Sequence, residues 1–216
     1  MKKRLLSFVL VFALVVGIMP SMALALERTS GTCGTNTTWT FDGITGTLTI
    51  RGSGKMEDYA YTWESNAPWG TFIEDITSVV VSEGITHIGN GSFGGQMSAN
   101  TFPNLSQVIL PSTLESIGDY AFGGAPITAV LLPAALEKIG NYAFYGAELM
   151  TIELPTSVTT IGMGAFYGTK LVSIRVPSAV SSIGYDAFKI NTLSSIEIDS
   201  ENQNYTVDDN VLYDKG

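Results

Sequence analysis

The sequence predicts a β-rich solenoid: a coil of about six 22-residue rungs with a parallel sheet on one face and a β-hairpin cap at its N-terminal end. Three observations predict it. The phrase "KIGNYAFYGA", Lys138 to Ala147, recurs as "SIGDYAFGGA", "TIGMGAFYGT", "SIGYDAFKIN" and, degenerate, "HIGNGSFGGQ". The Ile-Gly pairs begin at Ile88, Ile117, Ile139, Ile161 and Ile183, with gaps of 29, 22, 22 and 22, and Phe93, Phe122, Phe144, Phe166 and Phe188 keep those gaps. Apolar residues two apart, such as Ile152 and Leu154 in "MTIELP", precede each phrase, as a short strand with one buried face requires.

The chain opens with Lys2, Lys3 and Arg4, an apolar run from Leu5 to Ile18, and the exit Ala23-Leu24-Ala25. Basic start, apolar stretch and small residues at the exit predict a signal peptide over residues 1–25, cut after Ala25. The run is short for a membrane span, and no second long apolar segment follows. Cleavage removes three cations and takes the formal charge from −9 to −12. A chain this acidic repels phosphates, which argues against nucleic-acid binding. Cys33 is the single cysteine, so no disulfide can form within the chain and stability must come from burial.

Residues 26–75 read as an N-terminal cap. "TTWTFDGITGTLTIR" alternates: Trp39 and Phe41 share a face, as do Leu48 and Ile50, with a turn at Asp42-Gly43 and Gly46. An aromatic and acidic segment follows, "GSGKMEDYAYTWESNAPWGTF".

Repeats fill residues 76–216. Aligned on the period, Leu105, Ile127, Leu149, Leu171 and Leu193 form a column, and Val108, Val130, Ile152, Ile174 and Ile196 form the next. The unit is L-x-x-I-x-L-P-x-x-V-x-x-I-G-x-x-A-F-x-G-A. Proline ends the strand, glycine after isoleucine permits a tight turn, and Ala-Phe plugs the corner. A single unit cannot bury these residues; stacked units bury them against each other. An insertion within Gly94 to Pro103 explains the longer first gap. At the far end "NYTVDDNVLYDKG" reads as a hairpin turning at Asp208 to Asn210, either the C-terminal cap or the start of further repeats in a longer natural chain.

The Leu-Pro after most strands, the "IGxxAF" corner and the period resemble leucine-rich repeats of the BspA type, found in bacterial surface proteins and some protist ones. The resemblance covers about Ile76 to Gly216. It implies a right-handed leucine-rich-repeat coil and a role in adhesion to host proteins and other cells. The family often has cysteine after the corner glycine; Ala125, Ala147, Thr169 and Asn191 stand there instead.

Catalysis and metal binding find little material. His87 is the only histidine and occupies a variable slot before Ile88, so a surface position is expected, and no Ser, Cys or acid is marked as its partner. A His and Cys metal site fails on count. Asp208 and Asp209 read as a polar turn. No cofactor is implied.

Binding surfaces are better represented. Between the inward strand residues lies an outward column: Val80, Ile109, Leu131, Glu153, Arg175 and Glu197. Three rungs are apolar outside and three are charged. Glu153, Arg175 and Glu197 alternate in sign at strand spacing, which predicts cross-strand pairing. The aliphatic half predicts a protein contact strip unless the segment from Gly95 to Phe102 folds over it. A second candidate is the aromatic patch Tyr59, Tyr61, Trp63 and Trp69, with Glu57, Asp58 and Glu64. Flat rings and carboxylates suit a sugar; the same rings could simply cover the first rung, which is the stronger expectation.

The expected function is therefore a secreted or cell-surface, non-catalytic binding protein, with a protein ligand such as host matrix at the sheet face. The alternative is a glycan-binding or spacer module of a larger exported enzyme.

Overall fold

The computed structural model describes residues 29–60, 66–95, 102–209 and 211–216. The signal-peptide reading, Tyr61, Trp63, the insertion between Gly95 and Phe102, and Asn210 lie outside the described residues. Strands run in chain order as β1 (Ser30–Gly34), β2 (Thr37–Asp42), β3 (Thr47–Gly52), β4 (Gly54–Lys55), β5 (Ser78–Val81), β6 (Ile85–Ile88), β7 (Gln107–Ile109), β8 (Ser116–Ile117), β9 (Lys138–Ile139) and β10 (Thr160–Ile161). The series ends with β11 (Ser173–Val176), β12 (Ser182–Ile183), β13 (Ser195–Ile198), β14 (Tyr205–Asp208) and β15 (Val211–Asp214). One short 3₁₀ turn, Gly70–Phe72, is the only helical element among the described residues.

The rungs stack in parallel and in register. Along one side, β4, β6, β8, β9, β10 and β12 form a continuous six-stranded sheet, with Ile88, Ile117, Ile139, Ile161 and Ile183 as successive partners. Along the other, β1, β2, β3, β5 and β7 form a five-stranded sheet and β11 pairs with β13. The N-terminal hairpin belongs to this ladder: β2 and β3 are antiparallel, but β3 runs parallel to β5, with Leu48 beside Val79 and Ile50 beside Val81.

The expected strand in "MTIELP" does not form. Residues 129–132 and 151–154, on the two rungs between β7 and β11, make no backbone hydrogen bonds to their neighbours. The inward and outward alternation persists there, with Ile152 half-buried and Glu153 exposed. Sheet continuity therefore rests on the two-residue strands at the Ile-Gly corner, not on the longer apolar segments.

An aromatic stack runs through the interior among the buried aliphatic residues. Phe122, Phe144 and Phe166 are fully buried and stack at 5.5 Å centroid spacing with planes within 8° of parallel. Phe93 and Phe188 extend the column at either end. Trp69 occupies the same slot in the cap, stacked on Phe93 at 5.4 Å. Burying a large apolar side chain is worth roughly 1.5–3 kcal/mol relative to exposure, so the column is a principal source of stability.

The corner glycine acts through close approach, not through the turn conformation expected from the sequence. A Cβ on Gly140 would lie 2.6 Å from the carbonyl carbon of Gly118 on the rung before. The left-handed position falls two residues later, at Gly91, Tyr120, Tyr142, Gly164 and Asp186, all with φ between 53° and 59°.

Candidate functional site

The outward column begins in the hairpin. Thr40, Thr49, Val80 and Ile109 are register partners across β2, β3, β5 and β7. Leu131 and Glu153 continue the column on the unpaired rungs, and Arg175 and Glu197 are partners across β11 and β13. Val80 is half-buried, Ile109 is 47% exposed and Leu131 is 82% exposed. Glu153, Arg175 and Glu197 are all exposed. The period-two geometry of an extended chain places these side chains away from the core whether or not the strand is hydrogen-bonded.

A shallow groove of about 620 Å³ lies over the unpaired rungs, lined by Gln107, Leu131, Met150, Thr151, Glu153 and Arg175 among others. A second recess of about 430 Å³ shares Ile152, Glu153 and Arg175 with it and extends to Asp199. Met150, 54% exposed, adds a second apolar side chain beside Leu131.

The expected sign-alternating pairing does not form. Arg175 and Glu197 are register partners, yet the guanidinium reaches Asp199 at 3.3 Å. Asp199 is held in place by the Glu201 N–H, which donates to its other oxygen at 3.0 Å. A long arginine reaches this diagonal neighbour, where the carboxylate is already held by a backbone N–H. Glu153 and Glu197 make no ion pair or side-chain hydrogen bond with any described residue.

Tyr59 and Trp69, the described members of the aromatic patch, serve as cover and not as a sugar platform. Trp69 is fully buried, with its indole N–H donating to the Ser92 carbonyl at 3.0 Å. Tyr59 is 8% exposed and meets Trp69 edge-on at 5.5 Å. Neither ring offers a face to a sugar, because both are consumed in closing the end of the aromatic column. Burial raises the Tyr59 phenol far above its ordinary range, with Cys33 and Glu57 adding to the shift. Cys33 is itself fully buried and its thiol is pushed up by burial, which makes it a poor nucleophile.

His87 has partners that the sequence did not mark. Its Nδ1 lies 2.8 Å from Ser116 Oγ and its Nε2 lies 3.4 Å from Asp58 Oδ1. The side chain is only 19% exposed. Asp58 also accepts the Asn90 N–H at 2.8 Å. Rung register alone creates the set, since His87 and Ser116 are ladder partners. The signal was available in the numbering: Asp58, His87 and Ser116 are each 29 residues apart, the length of the first gap. The arrangement ties the cap to the first two rungs. Among the described residues no group of three His, Cys, Asp or Glu side chains could hold a metal ion.

A tyrosine ladder was also missed. Tyr120 and Tyr142 stack at 4.9 Å, Tyr145 and Tyr167 at 5.3 Å, and Lys189 sits over Tyr167. Gly164 has no side chain where the Tyr142 ring lies. Tyr145 is half-buried within this ladder.

Stacked parallel rungs, a repeating Ile-Gly corner and a continuous phenylalanine column define a leucine-rich-repeat-like protein with no α-helix among the described residues. The chain belongs to the BspA-type leucine rich repeat family, whose model matches residues 96–215 as six copies. Among solved structures it is similar to a leucine-rich repeat protein from Eubacterium ventriosum, with 34% identity and a TM-score of 0.73, covering 86% of this chain and 48% of that one. It also resembles in fold a leucine rich cell surface protein from Faecalibacterium prausnitzii, with 23% identity and a TM-score of 0.54, covering 86% and 59%. The pneumococcal vaccine antigen PcpA shares the fold at 19% identity and a TM-score of 0.58, covering 85% and 53%. The chain thus spans about half the length of these three proteins. No curated protein matches it.

Proposed function

We propose that the protein is an exported, surface-displayed solenoid, wound as a right-handed coil, that binds a protein partner without catalysing a reaction. The contact surface is the outward column of Val80, Ile109, Leu131, Glu153, Arg175 and Glu197. Leu131 carries the reading: a large aliphatic side chain 82% exposed in a groove, where the next rung places Glu153. Exposed, it gains little in folding; covered by a partner, it is worth roughly 25 cal/mol per Å² of apolar area removed from water. Family membership and the cell-surface neighbour support the setting, and the basic start, apolar run and Ala23-Leu24-Ala25 exit support export.

Two measurements test it. The intact mass of the secreted product should lack residues 1–25. Leu131→Glu should abolish binding to host extracellular matrix while leaving the melting temperature within a degree or two of the parent, on the order expected for a surface change. Retained binding in a normally folded variant would place the contact elsewhere.

A further inference from the structure

We propose that the partner presents an extended, basic peptide segment, seated across the unpaired rungs at residues 129–132 and 151–154. This rests on the reading of the outward column as the contact surface and adds the chemistry of what it takes.

The groove calls for an extended occupant, because its lining crosses four rungs through Gln107, Leu131, Glu153 and Arg175. On either side of the groove the ladder is closed, by β5 with β7 and by β11 with β13, and the opposite sheet runs unbroken through the same rungs. Residues 129–132 and 151–154 make no backbone hydrogen bond with any described residue and lie under a groove of about 620 Å³.

The side chains require an apolar anchor and a cation. Leu131 and Met150 are exposed at the apolar end. Beyond them stand Glu153 and Glu197, exposed and without an ion-pair partner, while Arg175 is occupied by Asp199. The field over this half is therefore negative, and it lies on a chain of formal charge −9. An acidic or neutral segment would leave both carboxylates unpaired as water is excluded; a Lys or Arg satisfies them. Leu131 and Glu197 are three rungs apart, about 14 Å at sheet spacing, so the anchor and the cation fall within about four residues of an extended peptide.

A random peptide library displayed on phage and selected against the immobilised protein tests this. Enriched peptides should pair an aliphatic or aromatic residue with a Lys or Arg within four positions. Glu153→Lys should weaken the best synthetic peptide by about tenfold at low salt and by less at high salt, as for screened charge pairs. Changing the peptide's basic residue to Glu should restore binding to Glu153→Lys. A helix-stapled version of the best peptide should lose binding. If Leu131→Glu abolishes binding but Glu153→Lys and helix stapling do not affect it, the basic, extended occupant is wrong and the contact strip stands. If both variants bind like the parent, the strip itself is wrong. A selection that enriches nothing, or only acidic peptides, also overturns the inference.

Discussion

At the residue scale, the repeat divides its positions into those that fill the core and those that cover it. Phe144 lies between Phe122 and Phe166 with no exposure, whereas Tyr145, its neighbour in sequence, is half-buried in the tyrosine ladder. Phe144→Ala should cost about 3–5 kcal/mol, because it removes a ring from an unbroken stack and leaves a cavity. Tyr145→Ala should cost about 1 kcal/mol, the scale of a lost aromatic pair. Denaturant melts of the two variants give the comparison, and equal losses would mean that the column does not carry the core. Phe144 was legible from the phenylalanine period. The place of Tyr145 was not, because no alternation in sequence shows that rings on adjacent rungs lie face to face.

At the element scale, neighbouring rungs are fastened by side chains at their turns as well as by ladders. Glu83, in the turn between β5 and β6, accepts the Ser112 N–H and Oγ–H of the next rung, each at 2.9 Å. Those two hydrogen bonds hold its carboxyl below the usual carboxylate range. A depressed folded-state pKa contributes stability that is present above the unfolded value and lost as pH falls through the folded one. Glu83→Gln should therefore lower stability modestly at neutral pH and change little in acid, where the parent has already lost the contribution, so that the acid limb flattens. Thermal melts across the acid range measure it; an unchanged acid limb would assign the fastening to other groups. The hairpin of β14 and β15 is fastened similarly. Buried Asn202 donates to the carbonyls of Pro177 and Val180 at 2.9 and 3.0 Å, and Tyr205 Oη accepts the Ile183 N–H at 2.9 Å.

At the scale of the whole molecule, the two sides of the stack are unequally bonded. The amides of Gly118, Gly140, Gly162 and Gly184 donate to isoleucine carbonyls of the preceding rung at 2.8–2.9 Å. Those of Leu131 and Glu153 donate to no backbone group. Hydrogen exchange should find the corner amides protected to the limit of global unfolding and the Leu131 and Glu153 amides exchanging through local access. Equal protection on both sides would mean that the two sides are equally bonded. Occupation by a bound segment should slow exchange at residues 129–132 and 151–154 alone.

The sequence by itself determined the rung. Its period, the buried columns, the phenylalanine stack and the outward placement of Ile109, Leu131, Glu153, Arg175 and Glu197 follow from spacing, because burial repeats with the chain. Tertiary structure decided what depends on contact between rungs. Trp69 could have been an open platform or a core disc; its stacking on Phe93 made it the latter. Arg175 could have paired with its register partner; the anchored carboxylate of Asp199 took it. Glycine at the Ile-Gly corner reads locally as a turn residue, but its cause lies 22 positions away, where the backbone of another rung leaves no room for a Cβ. The closed and unpaired stretches of the ladder share one repeat pattern, so it is the contact between rungs, which no single repeat encodes, that separates the bonded edge from the open groove.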